Sequence, residues 1–330
     1  MKKIQLQAKT IALQQIQLVY QEHDDFIEKN PYGQMLLDRL DQWANREDSL
    51  SIGILPLLTC EANGGKPEQV VPILAAWQLT QFAAKLFDDV EDGDISCHKA
   101  QTINVAMGLL SVAQLVLTAL PGYDTTWCQA FNKMLLRACA GQHDDLAFSH
   151  NATSYADPEH WYSVAQAKSG EFLSWAAWAG ASIADKRDSQ KLTCYRNYGR
   201  SLGVLLQIAD DFGGIWNSDD NNDLATGALS LPICYSLMVA DETKRSDLLQ
   251  LLIQAKAGNT VAADEARQCL IDLGAQTYLL AIAFMEYKRA VISLEQCNLS
   301  TAKLNEFVAL LLKTMPGLKL LDRVSNARLY

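Results

Sequence analysis

Residues 73–92 read ILAAWQLTQFAAKLFDDVED, and the spacing in this stretch is that of a helix. Ile73, Leu74, Trp77, Ala84 and Phe87 recur at steps of three and four, which puts them on one face; a strand would alternate. The apolar run meets Asp88-Asp89-Val90-Glu91-Asp92 and then the break Gly93-Asp94. Carboxylates packed this densely repel one another and weaken an isolated helix, so helix stability is not what they serve. Asp88 and Asp92 stand at i and i+4 and project from one face. A second apolar helix, Gly203 to Ala209, leads into Asp210-Asp211 in the same way. One acidic helix end reads equally well as a solvated terminus. Two with the same lead-in favour a cation site. Hard carboxylate oxygens suit Mg2+, which takes one or two carboxylates, keeps waters and shares substrate phosphates. Two facing clusters would hold several Mg2+ ions around a diphosphate.

The rest of the chain extends the helical pattern. Only 18 Gly and 8 Pro interrupt 330 residues, and 49% of the residues are hydrophobic, a composition of long helices with short connections. Breaks fall at 63–67, 93–94, 121–122, 157–158, 185–188, 217–223, 257–259 and 316–317. No repeat, low-complexity tract or linker divides the chain, so residues 1–330 are expected to form one all-α domain. Against 38 acidic residues stand 28 scattered basic ones, a formal net charge of −10. That excludes a nucleic-acid surface, which needs a basic stripe to release counterions. An acidic chain that binds an anion needs a metal ion between the two. Cysteines 60, 97, 128, 139, 194, 234, 269 and 297 form no CxxC pair and read as reduced, small hydrophobic residues. In residues 1–20 the apolar positions are interrupted by Gln, which makes no signal-peptide core. Val105 to Leu120 is broken by Ser111, Gln114 and Thr118 and reads as a buried helix, not a membrane span. The expected location is the cytoplasm.

Taken in order, the motifs resemble those of the trans-isoprenyl diphosphate synthases and class I terpene synthases. Asp88-Asp89-Val90-Glu91-Asp92 is similar to that family's DDxxD, and Gly203 through Asp211, with Gln207 and Ile208, to the start of its GxxxQIxDDxxD. Gly141-Gln142-His143-Asp144-Asp145 matches GQxxD, and Tyr162 followed by Lys168-Ser169-Gly170 matches Y…K(T/S)G. The resemblance implies the isoprenoid synthase fold, helices around a central cavity, with Mg2+ as cofactor, a prenyl diphosphate as substrate and a homodimer as assembly. It implies Asp88, Asp89, Asp92, Asp210 and Asp211 as metal ligands and Lys168 as a direct diphosphate contact. Gln207 either positions a water at the substrate cation or simply packs. In the family, bulky residues four and five positions before the first Asp motif close the pocket floor. Here those positions are Ala84 and Ala83, with Phe87 beside the motif, which leaves depth for a C20 or bicyclic C20 tail. Trp77, Phe82, Phe172, Trp175 and Trp178 read as core first and as faces for a carbocation second.

The departures from the family pattern carry as much information as the matches. Elongating members hold a second diphosphate, that of isopentenyl diphosphate, with basic residues. Where GGKxxRP is expected stands Ser51-Ile52-Gly53-Ile54-Leu55-Pro56, with the proline kept and both cations gone. The family histidine ahead of the Asp motif is Gln81, the Arg-Arg pair after it is Cys97-His98 with Lys99 out of register, and the lysine of GKxTLP is Ala228. The second Asp motif ends in Gly213-Gly214, expected to unwind the helix, with Asp219, Asp220 and Asp223 following as an acidic loop or a substitute ligand. A second diphosphate left without cations in an acidic site is electrostatically costly. The expectation is therefore a Mg2+-dependent terpene synthase, of diterpene type, that ionises one prenyl diphosphate and forms a hydrocarbon or alcohol. The alternatives are a chain-elongating polyprenyl or geranylgeranyl diphosphate synthase, a prenyltransferase with another acceptor, and a non-catalytic partner subunit.

Overall fold

The computed structural model describes residues 2–20, 31–44, 50–93, 98–120, 122, 125–150, 157–216, 223–296, 302 and 304, and among these residues there is no strand. The helices run α1 Lys2–Tyr20, α2 Pro31–Ala44, α3 Leu50–Gly53, α4 Leu55–Ala62, α5 Pro67–Glu91, α6 Lys99–Thr118, α7 Thr125–His150 and α8 Pro158–Ala165. A π-helical segment, Gln166–Gly170, follows directly. Then come α9 Glu171–Ala184, α10 Ser189–Trp216, α11 Asp223–Thr226, α12 Leu231–Val239, α13 Glu242–Lys256, α14 Thr260–Asp272 and α15 Ala275–Glu295.

The boundaries follow from local chemistry. Pro67 opens α5 at its first turn, where the missing N–H costs nothing, and the Gln69 side chain accepts from the Lys66 N–H. That helix ends past its acidic cluster at Gly93, whose φ of +80° is the left-handed stop a side chain resists. Asp157 caps α8 by accepting from the Glu159 N–H, and Asp188 caps α10 by accepting from the Lys191 N–H. The break expected at Gly213-Gly214 does not occur: α10 continues through both glycines to Trp216. The final expected break, 316–317, lies outside the described residues.

Two compact units result, Met1–Lys133 with Trp175–Tyr195 and Met134–Ser174 with Arg196–Tyr330. In the first, α5 lies along α6, α1 packs on both, and α3 and α4 pack on α5. Its core holds Trp77, Trp127, Phe131 and Trp175, all nearly or fully buried, with Trp175 facing Trp77 at 6.4 Å and Phe131 edge-on at 5.2 Å. Phe82 and Trp178 are buried as well, so Trp77, Phe82, Trp175 and Trp178 serve as core. Both α5 and α6 reach the length and apolarity of a membrane span, but their apolar residues meet each other and α1. In the second unit, α13 pairs with α14, α14 with α15, and α12 packs against α15 and α8. Among the cysteines, 60, 128, 139, 234 and 269 are free thiols as expected, whereas Cys194 is disulfide-bonded and corrects the reading of all eight as reduced.

Candidate active site

The first unit carries the first carboxylate cluster, at the C-terminal end of α5. Asp88 and Asp92 share a helix face, the Asp88 side chain 37% exposed and Asp92 exposed. Asp89, about 100° further round the helix, is taken up differently. Lys85 Nζ lies 2.7 Å from Asp89 Oδ1 and 3.6 Å from Asp88 Oδ2. Partial burial works against the Lys85 charge, but the hydrogen bond to Asp89 and the charges of Asp88, Asp89 and Asp92 outweigh it and hold the ammonium above its ordinary range. Lys85 thus relieves repulsion within the cluster. It went unremarked in the sequence, although its i, i+3 and i, i+4 spacing to Asp88 and Asp89 was the signal. Ala84, one turn before Asp88, is exposed on the same face; Ala83 is fully buried; Phe87 is half-buried.

Neutral groups stand where the family's second-diphosphate cations are missing. Gln78, 2% exposed, donates through Nε2 to the Gly53 carbonyl at 3.3 Å. A Cβ on Gly53 would lie 3.8 Å from Gln81 Oε1, so the altered segment 51–56 and the altered histidine position adjoin. Gln78 Oε1 is buried without a hydrogen-bond partner. Cys97 lies outside the described residues.

The second unit gathers the other expected residues around the π segment. Lys168 Nζ donates to Asp145 Oδ2 at 2.9 Å, which gives the last residue of Gly141–Asp145 a role: it holds the lysine. Ser169 Oγ donates to Gln207 Oε1 at 3.1 Å, and Gln207 Nε2 donates to Asp211 Oδ1 at 3.1 Å. Asp211 Oδ2 accepts from the Leu231 N–H at 2.7 Å. One chain of hydrogen bonds therefore ties the π segment, α10 and the start of α12 together. Gln207 has both ends of its amide engaged by protein.

Two glycines permit this assembly. A Cβ on Gly141 would meet the Lys168 backbone nitrogen at 2.5 Å, and one on Gly203 would meet the Ser169 carbonyl oxygen at 2.2 Å. α7 and α10 thus press backbone to backbone on the segment that presents Lys168 and Ser169. A π turn is a frequent companion of such sites because it re-aims side chains that a regular helix would turn away.

Asp211 is placed differently from the other carboxylates expected to bind metal. It is 5% exposed with both oxygens committed inside the protein. Burial first, then the charge of Asp223, push its carboxyl well above the ordinary range, against the pull of the Leu231 N–H and Gln207. Asp210, the residue before it, is exposed. Tyr162 is engaged by other groups: its hydroxyl donates to buried Glu286 at 2.6 Å, and Arg289 binds the same pair. Asp219 and Asp220 lie outside the described residues.

The donor chemistry of these residues can be set against what Mg2+ takes. Among the described residues no three His, Cys, Asp or Glu side chains converge as a ready cage. Mg2+ asks for less, one or two carboxylates plus water and substrate oxygens, and the exposed all-oxygen pair Asp88 and Asp92 fits that demand, as does exposed Asp210.

The all-helical scaffold thus carries acidic helix ends and a lysine-bearing π segment. The polyprenyl synthetase family matches residues 52–270, and the chain belongs to that family. It is similar to the short chain isoprenyl diphosphate synthase of Methanothermobacter thermautotrophicus, at 24% identity over 274 residues, 76% of this chain and 80% of that protein. It is also similar to the tryptophan prenyltransferase ComQ of Bacillus spizizenii, at 21% identity over 277 residues, 80% of this chain and 94% of that protein. The crystal structure of geranylgeranyl pyrophosphate synthetase from Pyrococcus horikoshii matches with a TM-score of 0.75 at 21% identity, over 95% of this chain and 96% of that one. The fold is the all-α isoprenoid synthase fold.

Proposed function

We propose that this chain is a Mg2+-dependent prenyltransferase that ionises an allylic prenyl diphosphate and passes the prenyl group to an acceptor for which isopentenyl diphosphate is a poor substitute. The names of its relatives, synthases and a prenyltransferase, favour transfer over the terpene synthase that the sequence suggests. The observation that carries the choice of acceptor is the neutral junction of Gly53, Gln78 and Gln81 in the unit that bears Asp88.

Asp88 and Asp92 in the first unit, and Asp210 in the second, are the residues that would hold Mg2+, which when bound supplies Lewis-acid stabilisation of the charge developing on the leaving diphosphate. Lys168 adds a fixed cation for the same charge, in exchange for part of its contact with Asp145. Ser169, Gln207 and Asp211 hold the π segment, and so the lysine, in one register. Ala84 leaves the carboxylate face of α5 open to a C20 tail. The same reading makes the chain one functional domain, acting as a homodimer in the cytoplasm. A terpene synthase remains the second reading, because a site without the second set of cations also suits a reaction with a single diphosphate.

The test incubates the protein and Mg2+ with C10, C15 and C20 allylic diphosphates. Each is offered alone, with labelled isopentenyl diphosphate, and with a tryptophan-containing peptide. Products are separated by mass spectrometry before and after phosphatase. Prenylated peptide, with little label in longer diphosphates, is the expected result. Efficient label incorporation would restore chain elongation. A hydrocarbon or alcohol formed from the diphosphate alone would restore the terpene synthase. No turnover in any tube would favour the non-catalytic subunit.

A further inference from the structure

The two acidic helix ends differ in one respect that the fold repairs. On α5 a carboxylate stands one turn beyond Asp88, at Asp92; on α10 the position one turn beyond Asp210 is Gly214. Because α10 stays helical there, a side chain at 214 would share a face with Asp210, with the two Cβ atoms about 5–6 Å apart. That space is filled from elsewhere in the chain. A Cβ built on Gly214 would lie 2.4 Å from Asp223 Oδ1, 2.6 Å from Asp223 Cγ and 2.7 Å from Asp223 Oδ2, closer than any real Cβ contact. The whole carboxylate of Asp223 therefore occupies the spot from which a side chain at 214 would begin. Its backbone is fixed by the turn it starts: the Asp223 carbonyl accepts from the Gly227 N–H at 2.8 Å and the Ala228 N–H at 3.0 Å. A divalent cation held by two neighbouring carboxylates offsets their mutual repulsion.

We infer that Asp223 supplies, from outside α10, the carboxylate that this helix lacks at Gly214, and that Asp210 and Asp223 together form the second magnesium–diphosphate binding point. Gly214 is then glycine for a positive reason: any side chain there would displace the donated carboxylate. Asp211 stays buried as the acceptor that ties α10 to α12. The inference rests on the proposed function in taking Mg2+ and a diphosphate as the ligands.

The test is calorimetric titration of the full chain with inorganic pyrophosphate in excess Mg2+, with a circular dichroism melt on every variant. Asp223→Asn is expected to weaken pyrophosphate binding at least about tenfold, since even outer-shell partners of a metal have effects of that size. The double variant Gly214→Asp/Asp223→Ala returns the carboxylate to the helix and is expected to regain most of the affinity. Gly214→Asp alone is expected to melt at lower temperature. A folded Asp223→Asn protein that binds pyrophosphate as the wild type does overturns the inference and leaves the proposed function standing. If Asp223→Asn does not fold, the double variant decides: binding supports the exchange of carboxylates, and a folded protein without binding refutes it. Wild-type protein that ignores pyrophosphate in Mg2+ overturns the proposed function, and this inference with it.

Discussion

Ala83 and Ala84 are neighbours in sequence with opposite surroundings. Ala84 is exposed one turn before Asp88 and two before Asp92, whereas Ala83 has no exposed surface. Enlarging the two should therefore have different effects. Ala84→Phe puts a ring on the face where a prenyl tail would descend from the carboxylates; it should shift donor preference from C20 toward C15 or C10 with little change in melting temperature. Ala83→Phe should instead overpack the α5 seam and cost about 1–3 kcal/mol of stability, read as an earlier urea midpoint. Donor competition assays and urea titrations on both variants check the pair, and unchanged donor preference in Ala84→Phe would sink the pocket-floor argument. Helical spacing alone assigns Ala84 to the Asp88 face. That its neighbour is packed was not legible, because burial depends on which helices come to lie against α5.

Between elements the deciding feature is the close passage of α7 and α10 over the π segment. Gly203→Ala places a methyl group 2.2 Å from the Ser169 carbonyl oxygen, and backbone cannot yield as a flexible side chain does. The helices must separate, which lengthens the Ser169–Gln207 hydrogen bond and loosens the register of Lys168. We expect a stability loss of about 1–3 kcal/mol by chemical denaturation and, in the folded remainder, weaker pyrophosphate binding. An alanine variant as stable and as competent in binding as wild type would show the approach to be unimportant. The glycines of the two motifs were visible as letters in the sequence. Their purpose was not, because each serves a contact with a segment distant in the chain. The π turn was equally hidden: Gln166 to Gly170 carries no composition that distinguishes it from α-helix.

Across the second unit, the half-buried Glu171 joins three helices, accepting from Arg137 of α7 at 2.8 Å and from Arg200 of α10 at 2.6 Å. Burial acts to raise its pKa, but the hydrogen bonds and charges of Arg137 and Arg200 outweigh it, so the Glu171 carboxyl is held below the ordinary range. The unfolded chain binds that proton more readily than the folded one. The contribution of Glu171 to stability is thus fully present above the unfolded value of about 4.3 and is lost as pH falls through the lower folded value. Thermal melts should show stability declining over that acid window, and Glu171→Gln should flatten the decline while lowering stability at neutral pH. A variant with the wild-type pH profile would remove Glu171 from the account.

From local order alone, the sequence determined the helical class, most helix ends and the two acidic termini. Periodicity, prolines and capping residues such as Asp157 and Asp188 act on near neighbours and need no tertiary context. It also determined the family, because Asp88–Asp92, Gly141–Asp145, Lys168–Gly170 and Gly203–Asp211 keep their order and spacing. Tertiary structure decided which members of those motifs face outward. Asp210 is exposed and Asp211 is buried, although the two letters are identical and adjacent. It decided that Asp145 holds Lys168, that Lys85 moderates the first cluster, and that Asp223 fills the space over Gly214. These are encounters between distant segments or between a side chain and the neighbours that bury it, and they exist only once the helices have packed.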